Sequence, residues 1–231
     1  RTYDSSPNPM IYPLLEEYAA KDRWLGVYPQ LTPSWRIVSP WSCPQFVKFR
    51  MTEFVDKKLA CVAGYVVPDN RLFDFNVTAA AEWGWNAHGR SERQFAVAWA
   101  TRQGFRRPET VADWVMRLGP VTWDLYGARL VERHLFRPAG IGAMVSKRAK
   151  PAFGKGMLAA FPDGARLRAN REACVDALRL ANQTGSPAMV AETRAVLGYY
   201  DMLIEICGIG DVLSAKSAIG LPERHALQDG M

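Results

Sequence analysis

The chain has 231 residues, 48% of them hydrophobic and 23% charged, and its formal net charge is +6. This composition predicts a globular protein that buries a sizeable core, as one large domain or two small ones. No apolar run is long enough to span a bilayer and no signal peptide is recognisable, so a membrane partner is not expected.

The positive charge is spread over predicted helices and loops, apart from a group at Lys147, Arg148 and Lys150. A nucleic-acid footprint usually needs basic residues clustered on one face, so we expect a solvated basic surface and no nucleic-acid partner. The rival hypothesis is that these three residues bind nucleic acid, which would make binding depend steeply on salt.

The four cysteines are far apart in the chain and include no C-x-x-C pair. No histidine stands at metal-ligand spacing from them. Most have apolar neighbours, so we expect buried free thiols, and neither a metal site nor a cofactor is predicted. They are Cys43, Cys61, Cys174 and Cys207.

Helical and strand-like patterns alternate in the first third of the chain. Apolar spacing predicts helices over residues 9–21 and 44–58. Short apolar runs predict buried strands over residues 24–28, 35–38 and 60–67. This alternation is typical of parallel β/α units, yet three or four strands are too few to close a barrel of eight. Because the opening RTYD reads like the end of a strand, we expect the last part of a barrel that begins upstream.

From residue 76 onward the signals are helical. Asn76 is a candidate N-cap, and residues 91–94, SERQ, form a capping box. Pro108 suits the first position of a further helix, which Gly119 and Pro120 are expected to interrupt.

The last third of the chain predicts a loop and then a helical hairpin. Residues 137–162 are rich in Gly, Pro and Lys and predict the loop. A pair of long helices follows over residues 163–207, with Asp163 as the first cap and Gly185 at the turn. Apolar residues at three-and-four spacing give the hairpin the seam of a helical bundle.

Polar and aromatic residues cluster near the expected carboxyl ends of the strands, where α/β proteins bind ligands. Aromatic rings stack on the apolar faces of sugars while carboxylates and amides bind hydroxyls, so this set predicts a carbohydrate site. The aspartates have an alternative interpretation as turn or capping residues, and the tryptophans as packing residues. The candidate substrate-binding residues are Tyr3, Asp4, Trp35, Trp41, Tyr65, Asp69 and Asp74.

A family resemblance rests on the run FDFNVTAAAEWGWNAHGRSERQFAVAWA, preceded by GYVVPDN, over roughly residues 60–130. It resembles the exit from a glycoside-hydrolase barrel into a helical C-terminal domain, as in β-N-acetylhexosaminidase-like and O-GlcNAc-hydrolase-like families. The resemblance implies that residues 1–75 are the last β/α units of a TIM-type barrel and that residues 76–231 are a helical domain. In those families the catalytic acidic pair follows a middle strand, so it would precede Arg1, and the catalytic residues stay unassigned.

The leading functional hypothesis is therefore the C-terminal portion of a glycoside hydrolase, which contributes sugar-binding residues and is inactive alone. Cleavage of a glycosidic bond needs two carboxylates, and Asp4, Asp69 and Asp74 are the only well-placed candidates in this chain. The alternative is a non-catalytic helical protein-interaction module with the hairpin of residues 163–207 as its working surface. An exposed apolar seam on that hairpin would favour the module.

Overall fold

The computed structural model describes residues 17–18, 20–27, 42–63, 70–127 and 139–215. In these ranges the chain forms seven α-helices, one short 3-10 helix and two strands of two residues each. In chain order they are β1 Gly26–Val27, α1 Pro44–Asp56, β2 Cys61–Val62, α2 Asn70–Trp85, α3 Glu92–Arg102, α4 Pro108–Gly127, α5 Ala139–Lys147, the 3-10 helix Gly156–Leu158, α6 Gly164–Thr184 and α7 Pro187–Ala215.

The predicted α/β barrel is wrong, and with it the assignment to a glycoside-hydrolase barrel. Strands β1 and β2 pair in parallel, Gly26 with Cys61 and Val27 with Val62, and this is all the β-structure in the described ranges. A short apolar run is typical of a buried strand but equally of other buried segments, so periodicity alone could not decide. The expected strand over residues 35–38 lies outside the described residues.

The two-domain division stays a prediction, although its boundary after residue 75 falls inside helix α2. The residues around that boundary were expected to connect the last strand to a helix, and they lie in the interior of helix α2 instead. Asn76 is therefore a buried interior residue of α2 and not an N-cap. Its Oδ1 accepts a hydrogen bond from Cys43 N at 3.3 Å, which ties α2 to the start of α1.

Three helix ends predicted from local signals, at Ser91, Asp163 and Gly185, are confirmed. Ser91 Oγ accepts from Gln94 N at 3.2 Å while Gln94 Oε1 accepts from Ser91 N at 2.9 Å, a complete capping box at the start of α3. Asp163 Oδ1 accepts from Arg166 N at 2.8 Å and caps α6. Gly185, with φ of 74°, ends α6 in the left-handed conformation that glycine adopts without strain.

Helix α4 runs unbroken past Gly119 and Pro120, contrary to the expected interruption. A proline inside a helix leaves the carbonyl four residues earlier without its usual donor. Here that carbonyl is Met116 O, and Gln45 Nε2 donates to it at 3.4 Å. The side chain from α1 thus supplies the hydrogen bond that Pro120 cannot make. The predicted loop over residues 137–162 also contains a helix, α5.

Helix α4 is the centre of the packing, with α3 on one side and α6 on another. The core is one contiguous cluster that includes the fully buried Trp83, Trp114 and Tyr200. Trp114 Nε1 donates to Thr193 Oγ1 at 2.8 Å, so one of the two tryptophans of α4 is hydrogen-bonded to α7 as well as packed on it. Among the described residues, no helix is both long and apolar enough to cross a membrane.

Gly210 of α7 lies where another segment of the chain packs closely against the helix. A methyl group on Gly210 would lie 2.6 Å from Pro151 Cδ and 3.0 Å from Lys150 Cα, whereas one on Gly208 would meet nothing within 4 Å. We expect Gly210→Ala to lower the free energy of unfolding by roughly 1–3 kcal/mol, because a proline ring and backbone cannot swing aside. Gly208→Ala, the matched control, should raise it by up to about 1 kcal/mol through helix propensity. Urea unfolding measures both, and a gain in both variants would contradict the close packing.

Candidate functional site

The predicted sugar-binding residues are mostly outside the described part of the chain. This applies to six of the seven, whose assignments stay predictions: Tyr3, Asp4, Trp35, Trp41, Tyr65 and Asp69. The seventh, Asp74, lies on α2 and not at the expected strand end. Its Oδ2 accepts from Trp99 Nε1 at 3.0 Å and from Gln103 Nε2 at 3.2 Å. The carboxylate therefore helps to hold α2 against α3, and a sugar-binding role for it stays a prediction.

The region of the predicted hairpin contains helices α6 and α7, which pack on each other, and its seam faces the core. Leu167, Cys174 and Ala181 on α6, and Thr193 and Tyr200 on α7, are at most 2% exposed. These residues pack against the rest of the molecule. The seam therefore lacks the exposed apolar surface that would favour a protein-interaction module.

A buried polar cluster lies where the start of α1 meets α2, α4 and α7. We define the buried polar cluster as Ser42, Cys43, Gln45, Asn76, Thr122 and Glu192, all of them buried. Gly119 allows this close approach, since a methyl group there would overlap Gln45 Oε1. The carbonyl of Gly119 accepts from Thr122 Oγ1 at 2.7 Å and from the Cys43 thiol at 3.3 Å.

Glu192 is the ionisable centre of the buried polar cluster. Its two carboxyl oxygens accept from Ser42 N at 2.5 Å and from Ser42 Oγ at 3.3 Å. Burial raises the pKa of Glu192 to about 7, although the hydrogen bonds from Ser42 lower it. The carboxyl group can therefore take up or release a proton near neutral pH.

The Cys43 thiol does not add a reactive nucleophile to this carboxyl. Burial raises the pKa of Cys43 to about 12, so the thiol stays protonated at neutral pH and lacks the reactive thiolate form. Burial likewise raises the pKa of Cys174 to about 12. Among the described residues, no group of three or more His, Cys, Asp or Glu side chains is placed to hold a metal ion.

An open apolar groove lies between α1, α2 and strand β2. Its volume is about 500 Å³. We call it the β2 groove. It is lined by Met51, Phe54, Val55, Leu59, Ala60, Cys61, Val62, Val77, Ala80, Ala81, Gly84 and Trp85. Three large side chains in this lining are exposed: Trp85 at 93%, Val55 at 43% and Val62 at 38%. The residues that line the groove are all apolar, so the groove suits an apolar ligand.

The exposed position of Trp85 was not predicted from the sequence. Trp83, two residues earlier, is fully buried, and its Nε1 donates to Arg90 O at 3.0 Å. Two positions apart on a helix, side chains point about 200° apart, so only one of the two tryptophans can face the core. Helical periodicity, once α2 is recognised, identifies Trp85 as the outward one.

Comparison with known proteins adds no relative. No family model matches the sequence, and neither the curated proteins nor the solved structures contain a significant match.

Proposed function

We propose that the chain is a non-catalytic helical module that binds an extended apolar peptide of a partner protein in the β2 groove. The observation that carries the proposal is that both residues of strand β2, Cys61 and Val62, line the groove. Side chains of successive strand residues point to opposite faces, so a groove lined by both follows the backbone edge and not one face.

Among the described residues, the backbone groups of β2 indicate which edge is open to a ligand. The N–H of Ala60 donates to Leu25 O at 2.8 Å, and the carbonyl oxygen of Cys61 lies 3.5 Å from where a methyl group on Gly26 would be, so both groups face β1. Backbone groups of successive strand residues point to alternate edges, so the N–H and C=O of Val62 point away from β1. An extended peptide can pair with this edge as an added strand, the mode in which main-chain hydrogen bonds give affinity and pockets select side chains.

The exposed side chains of the groove supply the apolar anchors. Trp85 stands at the end of α2 with 93% of its surface exposed, and Val55 and Val62 flank the same groove. Tryptophan is the residue type most enriched among those that dominate binding energies at protein interfaces. Covering the ring and the two valines removes apolar surface from water, which is the main favourable contribution to such association.

Selection from a random library of displayed peptides, about ten residues long, tests this proposal. We expect enriched sequences with apolar residues at alternate positions, and we expect Trp85→Ala to weaken binding of a synthesised winner by about 30-fold. Fluorescence anisotropy of the labelled peptide measures the affinity.

Trp24→Ala is the matched control, because Trp24 is 75% exposed and does not line the groove. It should change the affinity less than about 2-fold. Equal binding to wild type and Trp85→Ala, or an equal loss in both variants, would contradict the proposal. N-acetylglucosamine provides a further arm: if it binds and Trp85→Ala abolishes that binding while no peptide is enriched, the groove is a sugar site and the peptide proposal is wrong.

A further inference from the structure

We propose that the exposed face of residues 145–168 binds single-stranded nucleic acid. This segment contains six of the chain's lysines and arginines and one acidic residue, a formal surplus of five positive charges. The whole chain carries +6, so this short segment accounts for most of the excess. Although most basic residues lie elsewhere and are balanced by acidic ones, the net positive surplus is therefore concentrated in one segment of the chain.

The one acidic side chain of the segment is already engaged. Asp163 Oδ1 accepts from Arg166 N as the cap of α6. Two of the cations have acidic partners from other helices: Lys150 lies 3.5 Å from Asp211, and Arg166 lies 3.0 Å from Asp124.

Three further cations remain for a ligand. Among the residues that the structure describes, no carboxylate pairs with Lys147, Lys155 or Arg168. All three are exposed, and residues 145–150 are exposed throughout. Unpaired, exposed cations in a short segment are the electrostatic requirement for binding a polyanion.

An aromatic ring lies among these cations. Phe153 is 38% exposed. A methyl group on Gly164 would lie 3.5 Å from Phe153 Cζ and 3.3 Å from Arg168 Nη1, so the ring and the guanidinium are neighbours. Proteins that bind single-stranded nucleic acids combine a basic surface with aromatic rings, because every base offers a face on which a ring can stack.

The segment that carries the ring has a fixed geometry. Gly154 N donates to Leu158 O at 3.0 Å and to Phe161 O at 2.9 Å, and both of those residues are fully buried. Pro151 is seated against Gly210 of α7. The backbone that carries the ring is thus held in place before a ligand arrives, which lowers the entropic cost of binding.

An anionic membrane is the alternative polyanionic partner, and the exposed face of residues 145–168 fits a membrane less well than a nucleic acid. Membrane-surface binding relies on a broad apolar face that inserts between lipids. In this segment the exposed large apolar side chains are Phe153 and Val145, at 38% and 53%. A single ring flanked by cations fits a stacked base better than a bilayer.

The test is binding of a fluorescent oligouridylate of about 20 nucleotides, followed by anisotropy between about 50 and 200 mM salt. Replacing Lys147, Lys155 and Arg168 together with glutamine should weaken binding about 100-fold at about 0.1 M salt and reduce the slope of log K against log salt by about 2. Phe153→Leu keeps apolar volume and removes the ring, and it should weaken binding about 5-fold or more.

The control replaces three other exposed arginines, Arg102, Arg106 and Arg107, with glutamine, and it should keep the affinity within about 3-fold of wild type because these residues lie outside the proposed face. Circular dichroism and urea unfolding confirm that each variant is folded. Three results would overturn the proposal: no binding of the oligonucleotide at about 50 mM salt, an equal loss in the control, or binding to phosphatidylserine vesicles without binding to the oligonucleotide.

Discussion

Asp124→Ala is expected to lower the free energy of unfolding by about 3 kcal/mol, because it breaks a partly buried ion pair and the hydrogen bonds that accompany it. The Asp124 side chain is 1% exposed. Its Oδ2 accepts from Asn170 Nδ2 at 2.8 Å and from Arg166 Nη2 at 3.0 Å, so the carboxylate joins α4 to α6. The amide of Asn170 also donates to Tyr200 OH at 3.0 Å, and that hydroxyl donates to Val121 O at 2.6 Å, which extends the network to α7.

The expected loss has two sources. Alanine leaves the buried amide of Asn170 with one acceptor fewer, and an unsatisfied buried donor costs about 1–3 kcal/mol. It also removes the partner of Arg166, although that side chain is 44% exposed and water compensates much of its charge. The remaining loss comes from the space that the carboxylate filled.

Urea unfolding measures this prediction, with Asp163→Ala as the control. Asp163 also accepts a backbone N–H, but as an exposed cap, and its loss should cost about 1 kcal/mol. A double-mutant cycle between Asp124→Ala and Asn170→Ala should show a coupling of about 1 kcal/mol or more. Additive effects of the two changes, or a loss no larger than that of the cap, would contradict the role of the network.

Glu192→Gln is expected to make the protein more stable than wild type above about pH 7, by about 3 kcal/mol. Burial raises the pKa of Glu192 from 4.5 to about 7 in the folded protein. Between these values the folded state holds a proton that the unfolded state has released. The wild type is therefore most stable, with respect to this group, below about pH 4.5, and it loses that stability as the pH rises to about 7.

Glutamine removes this dependence, because it is neutral at every pH and nearly the same shape. Its carbonyl oxygen can still accept from Ser42 N, as Glu192 Oε1 does at 2.5 Å. Chemical unfolding at a series of pH values should give a wild-type curve that falls between about pH 4.5 and 7 and a flatter curve for the variant. Parallel curves for the two proteins, or a variant that is less stable at about pH 8, would contradict a buried, neutral carboxyl group.

Local signals in the sequence predicted the helix ends well, because a cap is a contact within three or four residues. The capping box at Ser91 and the left-handed turn at Gly185 are examples. Gly119 and Pro120 misled for a non-local reason. The helix survives them because Gln45, more than 70 residues earlier in the chain, donates to the carbonyl that Pro120 leaves unpaired.

The same distinction between local and non-local contacts applies to the candidate sites. The exposure of Trp85 follows from helical periodicity, but the groove beside it depends on β2 lying near α2, which no short pattern reveals. Glu192 reads as an ordinary polar residue of a helix, and its burial arises from Ser42, 150 positions away in the chain. The barrel was predicted because short apolar runs between helices are typical of buried strands. Two of these runs contain a strand in the structure, and each of these paired strands has two residues.

Amide hydrogen exchange with and without a selected peptide tests the proposed docking along β2 most directly. Strand addition predicts that the amide of Val62 gains protection when the peptide binds, since this N–H points away from β1. Ala60 already donates to Leu25 O and should change little. Protection that appears only on the α6–α7 hairpin, with Val62 unchanged, would contradict the docking of a peptide in the β2 groove.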